Sequence, residues 1–425
     1  MAPVGAGRVH WLVNAVMFTV GFQFVLIMSL VAPLVEQCLA QTYGSAYMLA
    51  HKGRYASALV AASYMANAFA NPIWGHVADR SGRRPVMLTS LFGAALAMAV
   101  FAVSAKSYWL LLAARLLSGL TDASMFMSKA VLGDVCNAET QSKRFSEMYM
   151  YFALSLTIAP FGVSLFADNG DLYALAPCAI ASAITFIVLI VCFVFLPETR
   201  PSSDAVTSDA QASSWAQIVQ DRRIAASVGL YAFLAILLLG IEVLTTLIIN
   251  EAPSRGGLGL GRQAIGQLFA IQGAVYIVAQ RFVCPFAISR LGSVSAFRYG
   301  ASSLVVIYPL AIVPSWLPLP FMFMAVQMSL KIVAISVALT ASAVLINEAT
   351  SPACRSSVNG LAQSLAAIAR CIGAFTVGSL YDLSAASHAV YAPFLLLSLG
   401  MLIAYLASFW VTRAAKDVQN DFELD

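Results

Sequence analysis

Long, continuously apolar runs follow one another along this chain, separated by short polar segments, and that succession leaves few folds open. A bilayer core about 30 Å thick is crossed by roughly 20 apolar residues in a helix. Backbone groups in lipid find no water, so a spanning segment satisfies them internally as a helix or pairs them in a closed barrel. The runs do not alternate polar with apolar residues, which excludes the barrel. Of the 425 residues 60% are hydrophobic and 10% charged, against about a quarter charged in soluble domains, so a water-soluble globule is excluded as well. Twelve spans are expected, at 11–33, 56–78, 85–105, 108–132, 147–167, 173–196, 223–249, 264–288, 294–314, 318–346, 358–381 and 388–413. The first run, from Trp11 to Val35, is too long for the apolar region of a signal peptide and lacks a small-residue cleavage site, so it reads as a permanent span. The expected fold class is all-α integral membrane with twelve transmembrane helices.

The formal net charge is only +4, so what matters is where the cations sit, because orientation follows the Lys/Arg bias of short loops. With twelve spans both termini share a side. That side collects Arg8, Arg80, Arg83, Arg84, Lys143, Arg144, Arg200, Arg222, Arg223, Arg290, Arg298, Arg355, Arg413 and Lys416, while the opposite loops hold only Lys52, Arg54, Lys106, Arg255 and Arg262. Both termini are therefore expected in the cytoplasm. No nucleic-acid partner is expected. Of the seven cysteines, Cys178, Cys192 and Cys371 fall inside apolar runs, and there is no CxxC pair or Cys/His cluster, so neither a metal site nor a disulfide framework is expected. No converging Ser/His/Asp or Cys/His set points to catalysis, and no cofactor is expected. The glycines from Gly256 to Ala264 (GGLGLGRQA) follow a spanning helix instead of a strand and are not a dinucleotide fingerprint, and no GxxxxGK[ST] motif occurs.

The stretch from Pro197 to Arg222 is the longest polar segment, rich in Ser, Asp and Ala, and too short for a folded domain. It divides the chain into an N-terminal six-helix bundle at 1–197, a cytoplasmic linker at 198–222, a C-terminal six-helix bundle at 223–413 and a cytoplasmic tail at 414–425. An internal repeat supports the division. Arg80 and Gly82, after the second span, recur about 210 residues later as Arg290 and Gly292 after the eighth, and Arg144 recurs within one position as Arg355. Parallel repeats of this kind mark a class of secondary transporter whose substrate site lies near the midplane.

Gly75, Asp79, Arg80, Gly82, Arg83 and Arg84 form the pattern GxxxDRxGRR. Further on stand RLLSG from Arg115 to Gly119, LPET from Leu196 to Thr199, and VNGLAQS followed by Arg370 and Gly373. Together these segments resemble the major facilitator superfamily, of the twelve-helix type and its drug:proton antiporter, tetracycline-efflux-like branch. Span five departs from the antiporter pattern GxxxGPxxGG, reading SLTIAPFGVS with Ser155 and Ala159 in place of two glycines. The resemblance implies a secondary active transporter, monomeric in the lipid bilayer, that moves a small organic solute by alternating access with protons as coupling ion, export being favoured. Proton-coupled uptake of a small organic anion is the alternative, and a non-transporting receptor of the same fold stands behind both. The resemblance also implies that Asp79 bridges the halves and favours the outward-facing state. The residues themselves allow a simpler reading of this loop as a topology anchor. In either reading Gly75 and Gly82 permit close helix approach and a tight turn, Arg80, Arg83 and Arg84 hold the cytoplasmic face, and Asp79 can sit against a cation or a helix N-terminus.

Ionisable residues inside spans are functional candidates by default. Arg115, Asp122 and Lys129 are seven residues apart in span four, which puts them on one stripe of a continuous helix; they contact substrate or form a structural pair. Lys331, mid-span, has Gln327 one turn before it and no acid within two turns of its own helix, leaving Asp122 or the substrate itself as the expected counter-charge. Arg370 faces the cavity or packs against the other half, Arg281 snorkels, and Glu242 reads as a rim carboxylate. The resemblance implies a cavity lined by spans one, four, seven and ten, where Gln23, Asp122, Glu242 and Lys331 are the polar residues that fit. Either Asp122 or Glu242 would carry a coupling proton. Arg115, Lys129, Lys331 and Arg370 outnumber Asp122 and Glu242, which favours an anionic solute.

Overall fold

The computed structural model describes residues 6–104, 107–164, 172–200, 220–250, 253, 257–260, 262–316, 318–386 and 391–422. Most of the expected linker, from 201 to 219, lies outside the described residues, as do the span ends at 165–167 and 388–390 and the last three residues of the tail. Among the described residues there is no strand. The helices are α1 (Ala6–Tyr43), α2 (Ser45–Ser81), α3 (Arg83–Val103), α4 (Tyr108–Thr121), α5 (Ser124–Val135), α6 (Ala138–Ser164), α7 (Leu172–Phe195), α8 (Arg222–Asn250), α9 (Arg262–Val278), α10 (Cys284–Leu291), α11 (Ser293–Ile307), α12 (Pro320–Glu348), α13 (Arg355–Ala386) and α14 (Ala392–Phe422). Nine stretches of the described residues are long and apolar enough to cross a membrane. The three other expected spans are also helical where described, within α2, α6 and α13; Asn67 and Asn71 in α2 and Asn359, Gln363 and Arg370 in α13 make them more polar. The protein is an all-α, multi-pass membrane protein.

Two compact units divide the chain. The first comprises Met1–Asn137, Met148–Ala212 and Pro352–Ala367, and the second Ala138–Glu147, Ser213–Ser351 and Ile368–Asp425. In the first, α3 packs on α7 and α4, and α1 on α2 and α7, around a core that includes Phe22, Leu26, Leu30, Phe101 and Leu111. Lipid is as apolar as these side chains, so close backbone approach drives such packing. At Gly119 of α4 a Cβ would collide with the Ser63 carbonyl of α2. On α7, Phe186, Ile187, Ile190, Phe193 and Val194 are exposed, as an outward, lipid-facing surface requires. In the second unit α11 packs on α12 and α14, and α8 on α12 and α14. Gly300 of α11 lies against α12, where a Cβ would come within 2.9 Å of the Ala334 carbonyl.

The two loops of the sequence repeat fold alike. Gly82 ends α2 at φ 108, ψ 159, and Gly292 ends α10 at φ 79, ψ 160. Each donates its N–H four residues back, to Ala78 and Ile288. A Cβ disfavours both conformations, which accounts for glycine at the two positions.

Three departures from the sequence reading have local causes. Span four is not one helix: α4 stops at Thr121, Asp122 adopts φ −74, ψ 89, and α5 restarts at Ser124. The Ala123 N–H is taken by the Ser90 hydroxyl of α3 at 2.8 Å, and Thr121 bonds back to the Leu117 carbonyl at 2.9 Å, so side chains replace ladder bonds there. The single stripe expected through Arg115, Asp122 and Lys129 is therefore broken at its middle member. Span nine ends its α-helix at Ile307 and continues as a 3-10 turn over Pro309–Trp316, since Pro309 supplies no N–H. Between α9 and α10 the chain winds as a π turn over Ala279–Val283, with Gln280 fully buried.

Candidate functional site

The GxxxDRxGRR loop is a closed polar network within the first unit. Asp79, on the last turn of α2, is buried and accepts the backbone N–H groups of Ser356 at 3.1 Å and Ser357 at 2.7 Å. These belong to the first turn of α13, whose leading N–H groups have no partner within the helix. The carboxylate thus caps α13 and meets the positive end of its dipole. Asp79 also pairs with Arg83 at 3.0 Å, so it finds both a helix N-terminus and a cation. Arg83 is 1% exposed and uses its whole fork: Nε bonds Asp134 at 2.9 Å, Nη1 the Ala78 carbonyl at 3.0 Å and Nη2 the Pro352 carbonyl at 2.9 Å. Arg355 takes the other oxygen of Asp134 at 2.6 Å. Two carboxylates and two guanidiniums thus balance inside one small volume, where an unpaired charge would be expensive.

Glu198, from the LPET segment, performs the corresponding task for α3, accepting the N–H of Arg83 at 2.8 Å and of Arg84 at 3.1 Å. Arg84 reaches the Phe193 carbonyl at 2.6 Å, and Arg200 donates to the Arg80 carbonyl. Gly75 has a steric role, since a Cβ there would come within 2.6 Å of the Ser356 carbonyl. Gly360, one turn into α13, lies similarly against the Asn71 carbonyl.

Deeper in the same unit the expected residues are distributed over several contacts. Gln23 of α1 donates to Thr185 of α7 at 2.6 Å. Arg115 donates to the Leu59 carbonyl and the Ser63 hydroxyl of α2. Asp122, at the helix break, accepts from Asn67 at 3.2 Å. Lys129 lies over the Tyr149 ring at 6.0 Å. Asn71 is fully buried, and its amide finds no partner among the described residues.

In the second unit, Lys331 is fully buried and pairs with Glu242 of α8 at 3.1 Å, the Glu242 side chain being 31% exposed. This corrects two readings. Lys331 has a protein carboxylate beside it on a neighbouring helix, so Asp122 is not needed to neutralise it, and Glu242 is half of an ion pair instead of an isolated rim acid. The sequence could place both at a depth but could not bring together residues from different helices. Thr245 accepts from Lys331 at 3.5 Å, and Gln272 of α9 donates to Glu242 at 3.4 Å. Gln327 donates to the Ile307 carbonyl at 3.1 Å. The carbonyl oxygens of the Gln272 and Gln327 side chains and the Tyr308 hydroxyl are buried with no partner among the described residues. Arg370, on α13, is half-buried, and Arg281 is exposed and lies against the Phe282 ring.

Sequence reasoning missed Asp134, Glu198, Thr185, Gln272 and Tyr308. Glu198 sat in a quoted motif, and Asp134 lay just beyond the expected end of span four. Gln272 was visible as a polar residue inside an apolar run.

Residues 17–374 match the profile of the Major Facilitator Superfamily. Protein Zinc Induced Facilitator 1 of Arabidopsis thaliana is 24% identical over 374 residues, covering 78% of this chain and 76% of its own length. The class C tetracycline resistance protein of Escherichia coli is 26% identical over 302 residues, covering 69% of this chain and 72% of its own length. Among solved structures, the human organic anion transporter MFSD10 superposes with a TM-score of 0.79 at 21% identity, over 95% of this chain and 100% of that one, a likeness of fold. With the profile matched over most of its length, this chain belongs to the Major Facilitator Superfamily and is a secondary transporter.

Proposed function

We propose that the protein carries a small organic anion across its membrane by alternating access, coupled to protons, as a monomer with both termini in the cytoplasm and with the six-helix bundles 1–197 and 223–413 as its moving parts. The observation that carries this reading is Lys331, an ammonium with no exposed surface, held by a carboxylate that is itself partly exposed. A buried cation must keep a counter-charge, and an anionic solute can supply one. The description of the solved relative as an organic anion transporter agrees in sign. The network of Asp79, Arg83, Asp134 and Arg355 is the gate in this proposal: its bonds join α2, α5 and the start of α13, and they break and re-form in each cycle. Kinship with tetracycline resistance proteins supports export. Uptake of the anion together with protons is the second reading, and the Lys331–Glu242 pair favours it.

Flux of a panel of organic anions and hydrophobic cations into proteoliposomes, with and without a pH gradient, is the test. Saturable, pH-driven flux of an anion that is lost in Lys331→Gln is expected. Saturable flux of cations alone, or flux indifferent to Lys331, refutes the proposed substrate class.

A further inference from the structure

Glu242 and Lys331 differ in one respect that bears on how substrate and proton are linked. The ammonium is fully buried, whereas the carboxylate is about one third exposed. When something separates the pair, the two partners are not equally easy to leave alone. A stranded buried ammonium is the expensive product, because the Thr245 hydroxyl at 3.5 Å is a poor replacement for water and for a counter-charge. A partly exposed carboxylate has a cheap way out, since it can take a proton from the medium and become neutral. An arriving cation would compete for Glu242 and strand Lys331. An arriving anion would compete for Lys331 and leave Glu242 to be protonated. Only the second exchange leaves no buried charge unpaired.

The surroundings of Glu242 suit a group that alternates between charged and neutral. Charged or titratable side chains reach it from α12, as Lys331, and from the end of α11, where Tyr308 is within electrostatic range. From α9 comes the neutral Gln272, whose amide nitrogen donates to the carboxylate at 3.4 Å while its amide oxygen is buried without a donor among the described residues. An amide can donate to the ionised carboxylate and accept from the protonated one, so the unused oxygen provides a place for the new O–H. Thr245 already accepts from Lys331, and Gln327 lies one helical turn before Lys331, on the same face of α12.

We infer that Lys331 alternates between two carboxylates, Glu242 and that of an incoming organic anion, and that Glu242 binds one proton from solution each time it is displaced. This rests on the second reading above, movement of the anion together with protons, and adds a stoichiometry to it. Anion and proton are loaded together and move in the same direction, with no net charge carried for a monocarboxylate. Lys331 stays protonated throughout, and no bond other than the carboxyl O–H is made or broken.

Carbodiimide modification of Glu242, read by peptide mass spectrometry on the purified full-length protein across a pH series, tests the exchange without requiring transport. Carbodiimides attack the protonated carboxyl, so the extent of labelling reports its protonation. Gln327→Glu supplies a carboxylate next to Lys331 in place of the solute. It should allow half-maximal labelling of Glu242 at about tenfold lower proton concentration, the scale on which one charge contact acts. Lys331→Gln should do the same, and Lys331→Arg should stay near wild type. Benzoate should promote labelling in the wild type and not in Lys331→Gln, whereas the neutral isostere benzamide should have no effect. Glu242 labelling that follows the wild-type pH curve in both Gln327→Glu and Lys331→Gln overturns the exchange, whatever benzoate does. Failure of the flux screen alone would instead count against the transport proposal, so the two outcomes are separable.

Discussion

Replacing Asp79 by Asn keeps the shape of the side chain and removes its charge, which isolates the electrostatic part of the Asp79–Arg83–Asp134–Arg355 network. The carboxylate accepts two backbone N–H groups and pairs with Arg83. Asparagine retains one acceptor oxygen, so one N–H of α13 loses its partner and faces an amide NH2. Arg83 keeps Asp134 and two carbonyls, which limits the damage on that side. With bonds to charged groups contributing about 1.5–3 kcal/mol each, the net loss is about 2–4 kcal/mol. At about 1.4 kcal/mol per factor of ten, that raises the population with the network open roughly 30- to 1000-fold. Cys354, adjacent to Arg355 and 6% exposed, is a natural reporter. A membrane-impermeant maleimide added to inside-out vesicles should label Cys354 faster in Asp79→Asn, with expression unchanged and flux reduced. Wild-type labelling of Cys354 together with wild-type flux would refute the reasoning.

Three other outcomes follow from the same geometry. Gly75→Ala and Gly360→Ala place a Cβ against the carbonyls of Ser356 and Asn71 and should each lower stability by about 1–3 kcal/mol, read as a drop in melting temperature in detergent. Gly229→Ala, with nothing within 4 Å of its Cβ, should leave that temperature unchanged. Arg83→Gln and Arg355→Gln share Asp134 as partner, so their effects on stability should be non-additive by about 0.5–3 kcal/mol in a double-mutant cycle; strict additivity would show that they act independently. Glu198→Gln weakens the cap of α3 and should cost about 0.5–2 kcal/mol, measurable by thermal unfolding, whereas an unchanged transition would mean that its contacts to Arg83 and Arg84 contribute no stability.

What could be read before the structure was whatever a single helix or loop determines. Apolar run length sufficed for the helices, and a short carboxylate beside glycines and arginines sufficed to expect Asp79 at a helix end or a cation. The break at Asp122 was invisible because no Gly or Pro marks it; the hydroxyl that replaces the helical bond comes from Ser90 on another helix. Lys331 and Glu242 failed for a related reason. They are 89 residues apart, and nothing in either helix states which neighbour it will face. Depth is a property of one segment, whereas pairing depends on how segments are arranged.

The twin turns at Gly82 and Gly292 have an evolutionary consequence. Where the first loop carries Asp79, Arg83 and Arg84, the positions 210 residues later hold Ser289, Ser293 and Val294. The second loop has the same backbone bend and Arg290 in place of Arg80, but lacks the other three charges; its Ser293 bonds Glu348 at 2.5 Å, a hydroxyl contact where the first loop has a guanidinium. Duplication therefore left this machine without a spare. A saturating mutational survey should find the first loop intolerant at nearly every polar position, and the second vulnerable chiefly at its glycine, with Ser289 free to drift.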